Sequence, residues 1–196
     1  MDESVSALLS GREGHFLFES GHHGHLWLDV DGAFWNPELL LPLADALADR
    51  VHGFDPEVLC GPVLGGALLA YLLADRLGLP FVAAQRHAPR PGQLYSARYV
   101  LPVTQRRRLQ RRRVAIVDDV INAGSAVRST MASVREYGGR PVVIAALLRL
   151  GDAALSPFVN GGVPVETLSV RAHALWLPTD CPLCAQGQPL HSAVDG

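Results

Sequence analysis

The chain has 196 residues, 48% apolar and 18% charged, with a formal net charge of −2. All 17 Lys+Arg residues are arginine, which excludes lysine chemistry: no Schiff base, no pyridoxal phosphate anchor, and no Gly-Lys-Ser/Thr phosphate loop. The length suits one domain, the charge argues against a dedicated nucleic-acid binder, and no apolar run reaches the roughly 18 residues that span a bilayer.

The amino terminus, Met1-Asp2-Glu3-Ser4, lacks the basic and apolar pattern of a signal peptide, and Cys60, Cys181 and Cys184 are too few for a secreted disulfide framework. A cytoplasmic protein is expected. Residues 1–35 are rich in Gly, His and aromatics and show little helical period. They are expected to form a small hood with residues 171–196, over a core of residues 36–170. Asn36-Pro37 then signals a helix start, Leu39, Leu40, Leu43, Leu47 and Val51 give it one apolar stripe, and Gly53 ends it. Val58, Leu59 and Cys60 read as a short buried strand that runs into Gly61-Pro62-Val63-Leu64-Gly65-Gly66. A helix over 67–77 with Gly78 as its cap follows, then a strand over 80–84. Pro89, Pro91 and Gly92 break both periods, so residues 87–97 are a long connection, with a short strand at 98–101 beyond it. Residues 114–117 form a buried strand that ends in Asp118-Asp119, a small-residue turn Asn122-Ala123-Gly124-Ser125, and a helix over 125–137 closed by Gly138-Gly139. Strands over 142–148 and 163–170 and a Pro/Cys tail over 178–196 complete the chain. Alternating helices and continuous apolar strands predict a parallel sheet covered on both faces.

The strand, the two acids and the turn have a direct chemical use. Backbone N–H groups of Asn122, Ala123, Gly124, Ser125 and Ala126 at a helix N-terminus, with the Ser125 hydroxyl, suit a phosphate. Asp118 and Asp119 at the strand's carboxyl end can accept hydrogen bonds from sugar hydroxyls. A phosphorylated ribose fits both halves; the bland alternative is an ordinary β–α turn with an Asp cap.

Residues 114–131 (Val-Ala-Ile-Val-Asp-Asp-Val-Ile-Asn-Ala-Gly-Ser-Ala-Val-Arg-Ser-Thr-Met) closely resemble the phosphoribosyl-pyrophosphate signature of type I phosphoribosyltransferases, most of all the orotate enzymes. The segments Gly14-His15-Phe16-Leu17-Phe18-Glu19-Ser20-Gly21, Gly61–Gly66 and Cys181-Pro182-Leu183-Cys184 are similar to the family's amino-terminal segment, pyrophosphate loop and tail, in matching order. The resemblance implies an α/β fold with a central parallel sheet and a hood. It also implies a Mg²⁺-dependent enzyme, a homodimer, that transfers a 5-phosphoribosyl group from phosphoribosyl pyrophosphate to a base such as orotate. Asp118 and Asp119 would hold the ribose hydroxyls, Asn122 through Ala126 the 5-phosphate, and Gly61, Pro62, Val63, Leu64, Gly65 and Gly66 the pyrophosphate. Asn122 and an arginine near the end of the next strand, Arg149, would meet the base.

The chain also departs from the family. Gly65 stands where many orotate enzymes place a lysine, and Glu19 replaces a lysine before Ser20-Gly21. The family's lysine-rich mobile loop, which closes over the neighbouring subunit's pyrophosphate, matches residues 85–98, and these offer Gln85, Arg86, His87, Arg90 and Arg98 instead. Arginine can grip pyrophosphate but cannot act as a proton donor, a task His87 could take near neutral pH. Solvated loop residues are the plainer reading of His87 and Arg90. The other readings are transfer to a different base, or a non-catalytic regulator that binds phosphoribosyl pyrophosphate or a nucleotide.

Two clusters stand outside that scheme. Cys181 and Cys184 have zinc-ligand spacing, and His15, His22, His23, His25 and His191 are candidate companions; a zinc site tying the tail to the hood is one reading, a metal-free family tail the other. Arg106-Arg107-Arg108 and Arg111-Arg112-Arg113 read as a nucleic-acid contact or, given the acidic total charge, as a solvated turn. Trp27, Phe34 and Trp35 are expected to pack the hood, or one of them to stack on a base.

Overall fold

Strands that are apolar at every position must be covered on both faces, and residue alternation decides which side chain serves which face. A computed structural model describes Val5, residues 9–87, 98–152, Phe158 and residues 161–192. In chain order it contains β1 (Ser10–Leu17), β2 (His23–Asp29), α1 (Pro37–His52), β3 (Val58–Pro62), α2 (Gly65–Leu77), β4 (Phe81–His87) and β5 (Arg98–Val100). Then come β6 (Arg113–Ile121), α3 (Ser125–Glu136), β7 (Arg140–Leu150), β8 (Val165–Arg171), β9 (Leu175–Trp176), α4 (Pro182–Ala185) and β10 (His191–Ser192).

The central sheet has the order β5-β4-β3-β6-β7-β8. Leu59, Ala115, Val117, Val143, Ala145 and Leu147 pack on one face with α1 and α2. Val58, Cys60, Val114, Ile116, Ile144 and Ala146 pack on the other with α3. Each fully buried Leu or Ile contributes about 1.5–3 kcal/mol, so period-2 alternation in three adjacent strands is enough to fix a three-layer arrangement. The sheet is not wholly parallel: β5 pairs antiparallel to β4 at one edge, while the β3–β4, β3–β6, β6–β7 and β7–β8 pairs are parallel. Residues 88–97 between β4 and β5 are too few for the crossover of a dozen or more residues that a parallel neighbour requires.

Strand order also places the helices. From β3 the chain steps through α2 to β4 on one side; from β6 it steps through α3 to β7 on the other. Crossovers of one hand that travel in opposite directions must lie on opposite faces. β3 and β6 are therefore adjacent strands whose following loops diverge, which opens a crevice at their carboxyl ends.

The first 35 residues hold more regular structure than their composition suggests. β1 and β2 form an antiparallel hairpin, and a second sheet of order β10-β1-β2-β9 joins both ends of the described chain. Asn36 occupies the N-cap of α1, but its side chain makes no capping bond; Pro37 at the first helical position supplies the start. Trp35 is 91% exposed and so does not pack the hood, whereas Phe34 packs against the core. Among the described residues no helix is long and apolar enough to cross a membrane.

Three of the six arginines of the run, Arg106, Arg112 and Arg113, make contacts within the chain. The Arg106 guanidinium lies 4.3 Å from the centroid of the Tyr137 ring and donates to the Leu101 carbonyl, while Arg112 and Arg113 pair with Glu57 and Asp55.

Gly61, at the end of β3, meets the turn that opens α2 so closely that a Cβ would overlap the Gly66 carbonyl oxygen. Gly61→Ala is expected to lower stability by about 1–3 kcal/mol. Gly53→Ala, whose Cβ would lie 3.4 Å from the Arg50 carbonyl oxygen, should stay within about 0.5 kcal/mol of the parent. Urea denaturation of the two variants checks the contrast.

Candidate active site

The crevice is a cleft of about 470 Å³ between the carboxyl edge of the central sheet and the β1–β2 hairpin. Its floor comes from the loop after β3 (Pro62, Val63, Leu64, Gly65, Gly66) and from the end of β6 with the turn after it (Asp118, Asp119, Asn122 to Ala126). The hairpin supplies the opposite wall, with Phe18, Glu19, Ser20 and Leu26 to Leu28. Thus two motifs more than fifty residues apart in sequence share one concavity, through the β3–β6 pairing.

The two loops touch. A Cβ at Gly65 would overlap Asp119 Oδ2, and one at Gly66 would sit 2.5 Å from Asp118 Oδ1. Glycine is required at both positions for proximity, and any side chain there would displace a carboxylate. Asp119 accepts from the Val120 N–H at 2.6 Å, and the Asp119 N–H donates to Asp118 Oδ1 at 3.2 Å. Burial pushes both carboxyls up, and the neighbouring negative charge adds to this at Asp118, whose pKa lies well above the ordinary carboxyl range. Asp119 rises to about 6, with burial as the main cause, opposed by the backbone hydrogen bonds and aided by the Asp31 charge.

Gly124 has φ 72° and turns the chain into α3, and residues 122–126, at the N-terminus of that helix, all line the cleft. Arg128 sits in the first turn of α3, where the helix dipole disfavours a cation. Its Nη1 donates to the Ala123 carbonyl at 2.6 Å and braces the turn from behind. An arginine so placed is a signal in the sequence that motif reading passed over. Asn122 Oδ1 is buried at the cleft without a hydrogen-bond partner among the described residues. An acceptor in that state awaits a donor from a ligand.

β4 and β5 sort the basic residues by face. Arg86 pairs with Tyr99 across the strands, and both line the cleft; their neighbours His87 and Arg98 pair with each other one position along and do not line it. Side-chain alternation turns them to the other face, so neither the proposed acid His87 nor Arg98 reaches the cleft of its own chain. Arg90 falls outside the described residues. Glu19, the charge opposite to the family's lysine, is the partner of Arg86: Arg86 Nε donates to Glu19 Oε1 at 2.7 Å, and Nη2 pairs with the same oxygen. The inverted charge at position 19 therefore orients the arginine that lines the site.

Arg149, expected at the base, is on β7 opposite Ile121, but its guanidinium donates to the Gly151 carbonyl and pairs with Asp152. Leu150, not Arg149, lines the cleft. Trp27 lines it too, with the Arg12 guanidinium 4.7 Å from its ring centroid.

Among the described lining residues Glu19, Asp31, Asp118 and Asp119 are acidic and Arg86 alone is basic. The side formed by the carboxylates is thus strongly acidic, while the backbone amides of the turn and one arginine are groups that suit an anion. A polyhydroxylated phosphate ester fits that division of labour.

A model of the phosphoribosyl transferase domain matches residues 36–157. The chain belongs to the phosphoribosyl transferase family. It is 30% identical over 187 residues to an orotate phosphoribosyltransferase of Thermotoga maritima, which covers 95% of this chain and 91% of that relative. Over 190 residues it is 30% identical to the orotate phosphoribosyltransferase of Caldicellulosiruptor bescii, covering 97% and 92%. Among solved structures, an adenine phosphoribosyltransferase of Thermoanaerobacter pseudethanolicus superposes with a TM-score of 0.68 at 21% identity, over 87% of this chain and all of that one. The orotate phosphoribosyltransferase of Aeropyrum pernix superposes with a TM-score of 0.65 at 20% identity, covering 85% and 93%. This phosphoribosyltransferase is accordingly a pentosyltransferase built on an α/β sheet flanked by helices.

The raised carboxyls give the folded enzyme a linked pH dependence. Between the ordinary value of 3.8 and about 6, folded Asp119 holds a proton that the unfolded chain releases, so stability falls as pH rises through that window. Asp119→Asn removes the burial cost of the charge. It is expected to raise the thermal midpoint of the ligand-free protein at pH 7.5 by several degrees, at roughly 2–4 °C per kcal/mol. The gap should close near pH 4, and calorimetry at the two pH values checks it.

Proposed function

We propose that this phosphoribosyltransferase joins orotate, or a closely similar acidic base, to the ribose of phosphoribosyl pyrophosphate, giving orotidine 5′-monophosphate and pyrophosphate. The observation that carries the reading is the shared cleft: paired buried carboxylates and an amide-lined turn on one side, a glycine loop pressed against them on the other. The names of the relatives at 30% identity favour orotate as the base.

In this reaction a ring nitrogen forms a bond to the anomeric carbon while the bond to pyrophosphate oxygen breaks; pyrophosphate leaves with the electron pair, and the proton of the ring nitrogen passes to the pyrophosphate or to solvent. Asp118 and Asp119 accept hydrogen bonds from the ribose 2- and 3-hydroxyls, and their charge offsets the cation that develops on the sugar. The amides of Asn122 to Ala126 and the Ser125 hydroxyl hold the 5-phosphate. Backbone amides over residues 61–66 and the Arg86 guanidinium take the pyrophosphate end. The base enters against the hairpin wall, where Phe18 and Trp27 offer ring faces and Asn122 Oδ1 an open acceptor.

The residues present also fit Mg²⁺. Four carboxylates line a cleft that must admit a highly anionic substrate, and carboxylate oxygen is the kind of donor Mg²⁺ takes. Mg²⁺ carried in by the substrate would neutralise the pyrophosphate and improve it as a leaving group. The family resemblance supports a homodimer, in which His87 and Arg98, turned from their own cleft, would serve the neighbouring subunit while Arg86 serves its own.

Pyrophosphate release should be measured with orotate, adenine, hypoxanthine and uracil, each with phosphoribosyl pyrophosphate and Mg²⁺. Release with orotate that stops on Mg²⁺ removal is expected. Release with adenine and none with orotate would overturn the base assignment. Tight phosphoribosyl-pyrophosphate binding without turnover on any base would favour the regulator. The same assay tests two residues. Asp118→Asn with Asp119→Asn should cost about 10²-fold or more in kcat. Arg86→Ala should raise the KM for phosphoribosyl pyrophosphate by roughly 10–100-fold, the worth of a charge-assisted contact.

A further inference from the structure

Beneath the second sheet lies a cluster that the transferase chemistry leaves unused. The ligand atoms of His15, His23, Cys181 and Cys184 all lie within 4.8 Å of one another. His15 Nε2 stands 3.0 Å from His23 Nδ1, 3.4 Å from Cys181 Sγ and 3.7 Å from Cys184 Sγ, and Cys184 Sγ is 3.3 Å from His23 Nδ1. One ring nitrogen carries a single proton or a single lone pair, so it cannot make three good hydrogen bonds at once. Four donors converging on a common point is the arrangement a cation holds.

The spacing agrees with that. Two thiolates at about 2.3 Å and two imidazoles at about 2.0–2.1 Å around tetrahedral zinc imply N···N near ~3.3 Å, N···S near ~3.5 Å and S···S near ~3.8 Å. The recorded separations scatter around those values. The outer contact agrees as well: His15 Nδ1 lies 2.9 Å from the Gln188 carbonyl. A carbonyl only accepts, so Nδ1 bears the proton and Nε2 turns its lone pair to the cluster, the usual support of a metal-bound histidine.

Local sequence explains how the ligands meet. The β1–β2 register slips between Glu13 and Phe16, and this bulge re-aims His15 toward His23 across the hairpin. Cys181 caps α4 and Cys184 lies within it, so Cys-x-x-Cys presents both sulfurs to one point. His15, His23 and Cys181 are buried, and Cys184 is exposed at the edge, which leaves little room for a substrate position. The tail is otherwise held by β9 and β10, strands of two residues each.

We propose that His15, His23, Cys181 and Cys184 bind one structural Zn²⁺ that clamps the carboxyl-terminal tail to the β1–β2 hairpin. Thiolate and imidazole ligands in a closed tetrahedron select zinc over the oxygen-seeking Mg²⁺ of the cleft. The same β2 strand carries Leu26 to Leu28 into the cleft, so the clamp also fixes one wall of the active site.

Full-length, tag-free protein purified without added metal should contain about one zinc per chain by elemental analysis. Exchange for Co²⁺ should give the visible absorption of tetrahedral cobalt with thiolate ligands. Chelation should lower the thermal midpoint, with recovery on adding Zn²⁺ but not Mg²⁺. Cys184→Ser and His23→Ala should weaken Zn²⁺ binding by at least about tenfold. Wild-type protein that holds no stoichiometric zinc and takes up neither Zn²⁺ nor Co²⁺ after reduction would overturn the site. So would full zinc affinity in the Cys181→Ser/Cys184→Ser double variant, or a Cys181–Cys184 disulfide in freshly isolated protein. Metal content is read on the wild type, so a variant that fails to fold does not shelter the proposal, and transferase turnover has no part in it.

Discussion

Gly65 and Gly66 lie so close to the carboxylates of Asp119 and Asp118 that neither position has room for a Cβ. That contact holds the loop after β3 against the end of β6, and the cleft exists because of it. It also holds two acids out of water; burial raises both, the Asp119 charge adds to the rise at Asp118, and the folded protein carries an electrostatic cost. The alternation of apolar residues in β3, β6 and β7 packs both faces of those strands, which sets where the two loops leave the sheet.

Charge in the cleft is arranged by sign as well as by distance. The acidic lining residues are Glu19, Asp31, Asp118 and Asp119; the groups of opposite sign are backbone amides, whose partial charges cost no side-chain entropy, and one guanidinium. A chain without lysine can work in this way because amides and arginine hold their charge state across the pH range where a carboxyl near 6 changes. Glu19 makes the scheme coherent. Far from spoiling the anion site, it anchors Arg86 by two contacts from the same guanidinium.

The hood carries a different kind of constraint. Its outer strands, β9 and β10, pair with the β1–β2 hairpin over two residues each. Small structures of that kind commonly need a covalent or metal staple to hold one geometry. Four convergent thiol and imidazole groups occupy the place where a staple would act, drawn from both ends of the described chain.

The central fold was legible in the residues because it depends on local rules. Continuous apolar strands, the Pro37 start and the left-handed Gly78 cap each report a nearby physical requirement. The strand-acid-acid-turn unit was legible for the same reason: Asp118 to Ser125 is contiguous. What sequence order could not supply was the partner of each group. Whether Arg86 or His87 faces the cleft turns on a single alternation in β4. Whether Arg149 meets a ligand or Asp152 depends on how the chain leaves β7. His15 and His23 join Cys181 and Cys184 only after a bulge in β1 and a parallel pairing with β10 bring distant segments together. The sequence by itself determined the layers and the phosphoribose motif, through periodicity and contiguity. Only the tertiary structure decided which charges face one another, because side-chain direction follows strand register, and register is settled by packing across the whole sheet.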